Sequence, residues 1–376
     1  MTHSLLTPCR LGALELKNRV VMAPLTRCRA DNPEAAPTPL MATYYAQRAG
    51  AGLIVSEGTI VSPRGRGYLN SPGIWSAAQV GGWHRVTDAV HAAGGRIVCQ
   101  LWHCGRISHP QLTSGQIPVA PSAINPEWRV QTPDGPMQTV TPHALSRSEI
   151  HQIVEQFGVA AENTMQAGFD GVELHSSNGY LFHQFFSRCS NQREDEYGGS
   201  HENRARFFFE VLNEVARHVP MERIGFRLNP MLNRFHGIAV DADTVPMWSY
   251  LVQEASRFPL AYLHLTEVVH PRQLLDNPHG LSDVAAHFRP LAAMPLIDNG
   301  ALYPFKAARR IEEGLCDAVA FGQAWIANPD LVERIANGWP LAPADPTTFY
   351  SGGASGYIDY PRSIKMGKTA GTSALA

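Results

Sequence analysis

The chain has 376 residues, 44% hydrophobic and 17% charged, with a formal net charge of −2. That composition supports a sizeable buried core, and the absence of a basic stripe or acidic tail argues against nucleic acid or an anionic membrane as partner. No apolar run approaches the roughly 18 residues that span a bilayer, and Met1–Leu6 lacks the pattern of a signal peptide.

Along the chain, Arg10–Lys17 alternates around Gly12 and is expected to form a short hairpin capping the floor of the fold. Eight short runs then read as strands: Asn18–Leu25, Gly52–Thr59, Arg96–His103, Gly171–His175, Ile224–Pro230, Ala261–Glu267, Pro295–Gly300 and Ala318–Ala324. Several are nearly continuously apolar, as strands buried on both faces must be. Helical patterns follow at Gln79–Ala93, Ser148–Ala167, His201–His218, Thr244–Arg257, Leu281–Ala293 and Pro304–Glu313. Ser148 reads as an N-cap, and Gly168 and Gly314 stand where C-terminal caps belong. Residues 104–147 are rich in Pro, Ser and Thr and separate the third strand from its helix, the mark of a lid-like insertion. Residues 365–376 are small and polar and read as a frayed tail.

Strand–helix repetition implies parallel strands joined by right-handed crossovers. Eight units close into a (β/α)8 TIM barrel, here with an N-terminal hairpin cap and a long loop insertion after strand 3; an open doubly wound sheet is the rival. One domain is expected over residues 1–361, with a flexible tail at 362–376.

Barrel active sites lie at the C-terminal strand ends. Those ends carry Pro24-Leu25-Thr26-Arg27, Glu57-Gly58-Thr59, Gln100, Trp102-His103, His175-Ser-Ser-Asn178-Gly179-Tyr180, Arg227, Asp298-Asn299-Gly300 and Gly322-Gln323. Arg227 is costly to bury within an apolar strand, which favours a functional role. A lone histidine such as His175 is ordinarily structural; Asn178 and Tyr180 beside it, together with the companion motifs along the chain, reverse that expectation. Trp102 alone would read as core packing. The six cysteines (Cys9, Cys28, Cys99, Cys104, Cys189, Cys316) include no C-x-x-C pair and no metal or cluster spacing. They fit a reducing compartment and a cytoplasmic protein.

Five motifs go further: Asn18-Arg19-Val-Val-Met-Ala-Pro24-Leu-Thr26-Arg27, Gln100-Leu-Trp102-His103-x-Gly105-Arg106, His175-x-x-Asn178-Gly179-Tyr180-Leu, the stretch Asn191–Phe207 with Tyr197-Gly198-Gly199-Ser200, and Asn328-Pro329-Asp330-Leu331. Together, in this order and from about residue 5 to 361, they resemble the Old Yellow Enzyme family. The resemblance implies a barrel holding non-covalent FMN, with NADPH or NADH as reductant and a small activated alkene, an α,β-unsaturated carbonyl or nitro compound, as substrate. It implies that Thr26 faces the flavin O4, which places the chain in a threonine-bearing subgroup. Gln100 would face N3 and O2, and Arg227 would lie near N1 and O2. Pro24 and Gly58 would bring backbone against the ring. His175 and Asn178 would bind the substrate oxygen, and Tyr180 would protonate the α-carbon after hydride transfer from N5. Tyr68, Trp102 and Tyr350 would line the substrate pocket. Gly300, Gly322 and Gln323 would meet the FMN phosphate. The family normally has arginine where this chain has Gln323, which hydrogen-bonds a phosphate without neutralising it. The loop Met231–His236 does not match the family convincingly, so no role is assigned there. Asp195, Arg204 and Arg206 are expected to pair and fix the loop after the fourth strand.

No G-x-G-x-x-G lies between a strand and a helix, so a nicotinamide donor is expected to share the substrate's pocket and give ping-pong kinetics. Two other classes are disfavoured by the residues at the strand ends. A phosphate-binding barrel lyase or isomerase without redox cofactor would carry a lysine, a carboxylate cluster or a metal at its strand ends, and none is seen there. A non-catalytic flavin-binding protein would not need His175, Asn178 and Tyr180 intact. A multidomain relative with iron–sulfur centres would need a cysteine cluster. Monomer and homodimer both remain open.

Overall fold

The computed structural model describes residues 3–267, 278–300 and 302–363, so the tail at 365–376 lies outside the described residues. Eight parallel strands form the ring: β1 (Val20–Met22), β2 (Leu53–Val55), β3 (Ile97–Trp102), β4 (Gly171–His175), β5 (Ile224–Leu228), β6 (Tyr262–Thr266), β7 (Leu296–Asn299) and β8 (Ala318–Phe321). Each pairs with the next, and β8 closes on β1 through Val319 opposite Val20 and Phe321 opposite Met22. This is the expected TIM barrel. Every residue of these eight strands is buried, which explains their continuous apolar reading. β2 leaves the ladder after Val55 and resumes pairing with β3 at Thr59–Ile60.

Two cores result. Val21, Leu53, Val55, Val98 and Ile297 fill the lower barrel interior, while the outward strand faces meet the helices. Those helices are α1 (Pro39–Gln47), α2 (Ala77–Ala92), α3 (Arg147–Gln166), α4 (Leu181–Phe186), α5 (His201–Val215), α6 (Thr244–Ala255), α7 (Val284–Phe288), α8 (Pro304–Glu312), α9 (Gln323–Ala327) and α10 (Leu331–Asn337). α3 begins earlier than expected. Its cap is Ser146, not Ser148, because Ser146 and Glu149 bond each other's backbone N–H in a capping box. Gly168 and Gly314 do follow helix ends in left-handed conformation, at φ +83° and +72°.

The N-terminal hairpin pairs Cys9–Leu11 with Leu14–Leu16. Its turn needs Gly12, whose φ is +56° and whose absent Cβ would lie 2.3 Å from the Glu222 carbonyl oxygen. Leu11, Leu14 and Leu16 point into the lower core and close the barrel floor. At the opposite end the 104–147 insertion contains a hairpin, Arg129–Thr132 with Gly135–Gln138. Arg106 ties it to the loop after β5, donating to the carbonyls of Ile124 (3.1 Å) and Gly237 (3.0 Å).

Candidate active site

The C-terminal ends of the strands enclose a cavity of about 330 Å³. Pro24, Thr26, Gln100, Trp102, His175 and Arg227 line it from β1, β3, β4 and β5 or their immediate extensions. Asn178 and Tyr180 enter from the turn after β4, Gln323 from the start of α9, and Tyr68 and Tyr350 from loops.

The turn after β4 brings three of these groups together. Asn178 and Gly179 both have positive φ, +59° and +78°, and the Tyr180 N–H closes onto the Ser177 carbonyl at 3.3 Å. An Asn–Gly pair tolerates this mirror-image turn better than other residues. It reverses the chain, so His175, Asn178 and Tyr180 all reach one cavity. Asn178 is held twice from the loop after β5. Asn229 Nδ2 donates to its Oδ1 at 2.9 Å, and His236 Nδ1 bonds its carbonyl oxygen at 2.7 Å. That pairing leaves the Asn178 amide nitrogen as a donor with no partner among the described residues.

An aromatic cluster forms one wall. Trp102 stacks on His175 at 5.7 Å and 15°, and Tyr180 stands edge-on to both, at 4.9 and 5.0 Å. The Tyr180 and Tyr68 hydroxyls lie 3.0 Å apart. Burial, then the neighbouring Tyr68, pushes the Tyr180 phenol well above its usual pKa. Burial and the Arg227 charge push His175 well below the ordinary histidine value, so its imidazole is neutral. Its Nδ1 pairs with the Ser177 hydroxyl at 3.2 Å.

The rest of the lining is more polar. Gln100 Nε2 donates to Glu173 at 2.8 Å, and its Oε1 has no protein partner among the described residues. Arg227 donates through Nε to Thr266 (3.2 Å) and through Nη2 to Asn299 (2.8 Å); its Nη1 has no partner there. The lining thus offers an acceptor, a cationic donor and the Thr26 hydroxyl. That set is complementary to a heterocyclic edge with one N–H between two carbonyls, such as a flavin presents.

Three expected residues do not line the cavity. Gly58 sits behind the wall, where a Cβ would come within 2.4 Å of the Trp102 ring, so its small size accommodates Trp102. Gly300 packs against Glu267, and Gly322 precedes α9 with only Leu25 near its missing Cβ. Conversely, Phe235 and His236 line the cavity from the loop to which the sequence assigned no role. Trp128 of the insertion meets both edge-on, at 4.9 and 5.1 Å. Burial lowers the His236 pKa to about 4, so it too is neutral. Among the described residues no group of His, Cys, Asp and Glu is arranged to hold a metal.

Comparison with known proteins gives the chain's family. The profile of the NADH:flavin oxidoreductase / NADH oxidase family matches residues 4–342. Morphinone reductase in complex with tetrahydroNAD is a similar solved structure, 45% identical, covering 96% of this chain and 98% of that one at a TM-score of 0.89. An old yellow enzyme homologue from Zymomonas mobilis is 39% identical, covering 95% and 99% at a TM-score of 0.90. A probable flavin mononucleotide-dependent alkene reductase of Leishmania infantum is 40% identical over 363 residues, 95% of this chain and 97% of the relative. The putative 12-oxophytodienoate reductase 4 of Oryza sativa subsp. japonica is 39% identical over 362 residues, 95% and 92%. The chain belongs to the NADH:flavin oxidoreductase / NADH oxidase family, the Old Yellow Enzyme family that its motifs resemble.

Proposed function

We propose that this protein is an FMN-dependent ene-reductase, using NADPH or NADH to reduce the C=C bond of α,β-unsaturated carbonyl or nitro compounds. The observation that carries the reading is the convergence of two donor–acceptor sets on one cavity: Gln100, Arg227 and Thr26, and beside them His175, Asn178 and Tyr180. Relatives named as alkene, morphinone and 12-oxophytodienoate reductases support the substrate class.

In this reading the free Gln100 Oε1 would accept from the flavin N3–H, Arg227 would neutralise charge near N1 and O2, Thr26 would donate to O4, and Pro24 would bring backbone against the ring. Gln323 and the backbone near Gly300 and Gly322 would hold the phosphate end. FMN, when bound, supplies the hydride from N5. His175 and Asn178 donate to the substrate carbonyl or nitro oxygen, where negative charge develops as the β-carbon is reduced, so they stabilise the transition state more than the ground state. With the Ser177 hydroxyl donating to Nδ1, His175 Nε2 carries the proton toward that oxygen. Tyr180 delivers the proton to the α-carbon. Trp102, Tyr68 and Tyr350 confine the substrate and exclude water. The unit spans residues 1–361 and works as a monomer or homodimer; its six free cysteines suit the cytoplasm.

A visible spectrum tests the reading. The purified protein should show flavin bands that bleach anaerobically with NADPH and return with 2-cyclohexenone. A protein that stays colourless after incubation with FMN would exclude it and favour a phosphate-binding barrel lyase.

A further inference from the structure

Between the apolar lower layer and the cavity, the barrel interior carries a buried charged pair where such barrels ordinarily stack branched aliphatic side chains. Glu173 of β4 and His264 of β6 have no solvent exposure and bond each other, Nδ1 to Oε2, at 2.8 Å. The second carboxylate oxygen of Glu173 accepts the Gln100 amide N–H at 2.8 Å. Strand register makes this arrangement possible. Glu173 stands opposite Gln100 on β3, and Arg227 on β5 stands between His175 and His264. Glu173 is also the carboxylate whose charge supports the Arg227 cation against burial. A buried charge network of this kind is a poor way to gain stability, since well-packed apolar side chains serve as well or better. It therefore calls for another account.

We infer that Glu173, braced by His264, is a positioning residue that sets how readily the bound flavin is reduced. Glu173 acts in two ways. It fixes the Gln100 amide so that Oε1 faces the cavity, and it offsets part of the Arg227 charge. The inference rests on the proposed placement of FMN against Gln100 and Arg227. Burial opposes the Glu173 charge, but His264, Arg227 and the hydrogen bonds outweigh it and hold its pKa below the usual range. Burial likewise lowers the His264 pKa, so a neutral imidazole donates its Nδ1–H to the carboxylate.

The sign of the effect follows. Reduced flavin carries more negative charge than oxidised flavin, so the Glu173 carboxylate disfavours reduction and its removal favours it. Glu173→Gln is nearly isosteric, and a neutral His264 accommodates it by moving its proton to Nε2. The test is the two-electron midpoint potential of the purified holoprotein, by reductive titration against a reference dye, for wild type, Glu173→Gln and Glu173→Asp. For Glu173→Gln the expected shift is at least about tenfold toward the reduced form, or ~30 mV upward. Glu173→Asp keeps the charge and should stay within about twofold of wild type, ~10 mV. An unchanged potential in Glu173→Gln overturns the inference while leaving the proposed function intact. A Glu173→Asp shift as large as that expected of Glu173→Gln overturns it too, even where Glu173→Gln fails to fold. Wild-type protein that retains no FMN overturns the cofactor placement and the inference with it.

Discussion

A phenol is a weak acid, and its use as a proton donor to carbon depends on its environment. Tyr180 is buried against Trp102 and His175 and shares a hydrogen bond with Tyr68, so its proton is retained across the neutral range. Tyr180→Phe keeps the ring contacts and removes only the proton. Stopped-flow measurement should then show reoxidation by the alkene slowed by about 10²–10⁴, with reduction by NADPH within about twofold of wild type. Equal loss in both half-reactions would mean that Tyr180 shapes the pocket and donates no proton. Residues of this kind were legible in the sequence because they stand at strand ends in a recognisable spacing. Asn229 and His236 were not. Their importance lies in bonds to Asn178 across 51 and 58 residues, and His236 adopts a left-handed φ of +52° that no local pattern announces. Gly58 was expected to bring backbone against the flavin ring, but the close neighbour of its missing Cβ is Trp102.

Elements fared according to how much of their environment is local. The eight strands were readable because burial on both faces leaves a continuous apolar run. Cap and loop pairings were less so. Asp195 pairs with Arg193 (2.6 Å), while Arg204 pairs with Asp243 (2.5 Å), a partner from another loop. The break in β2 is a further case, since Glu57 lies within it. This carboxylate is fully buried, accepts the Arg27 N–H at 3.2 Å and lies 3.4 Å from the Tyr45 hydroxyl of α1. Burial raises its pKa from 4.5 to about 7. A raised acid pKa means that the folded state holds the proton more tightly than the unfolded chain. Stability from this group is therefore greatest below pH ~4.5 and is lost as pH rises toward 7. At about 1.4 kcal/mol per pKa unit the loss approaches about 3 kcal/mol. Glu57→Gln carries no such proton. Urea unfolding should show the variant gaining on wild type between pH 5 and pH 8; a gap that does not change with pH would mean Glu57 titrates alike in both states.

At the scale of the whole molecule, the site depends on how the chain after β8 returns to β1. Residues 345–358 cross back over the strand ends, and arginines from the start of the barrel grip their backbone. Arg27 donates to the carbonyls of Phe349 (3.0 Å) and Gly356 (2.9 Å), and Arg29 donates to that of Thr348 (2.8 Å). Beneath them Tyr357 is fully buried, stacked on Tyr44 of α1 at 4.1 Å and 8°, with the Arg27 and Arg29 guanidinium groups 5.1 and 4.8 Å from its ring centre. Tyr350, 62% exposed, overhangs the cavity from the same segment. The two tyrosines thus have separable effects. Tyr357→Ala removes the anchor, a buried aromatic truncation that costs roughly 3–5 kcal/mol. Tyr350→Ala leaves the anchor and should change stability by no more than about 0.5 kcal/mol. Both should raise KM for the alkene, the first by loosening the roof and the second by removing part of it. Denaturant melts and steady-state kinetics on the two variants distinguish these outcomes. If Tyr357→Ala unfolds with the wild-type midpoint, the returning segment is a passive covering and the arginine grip does not hold the roof in place.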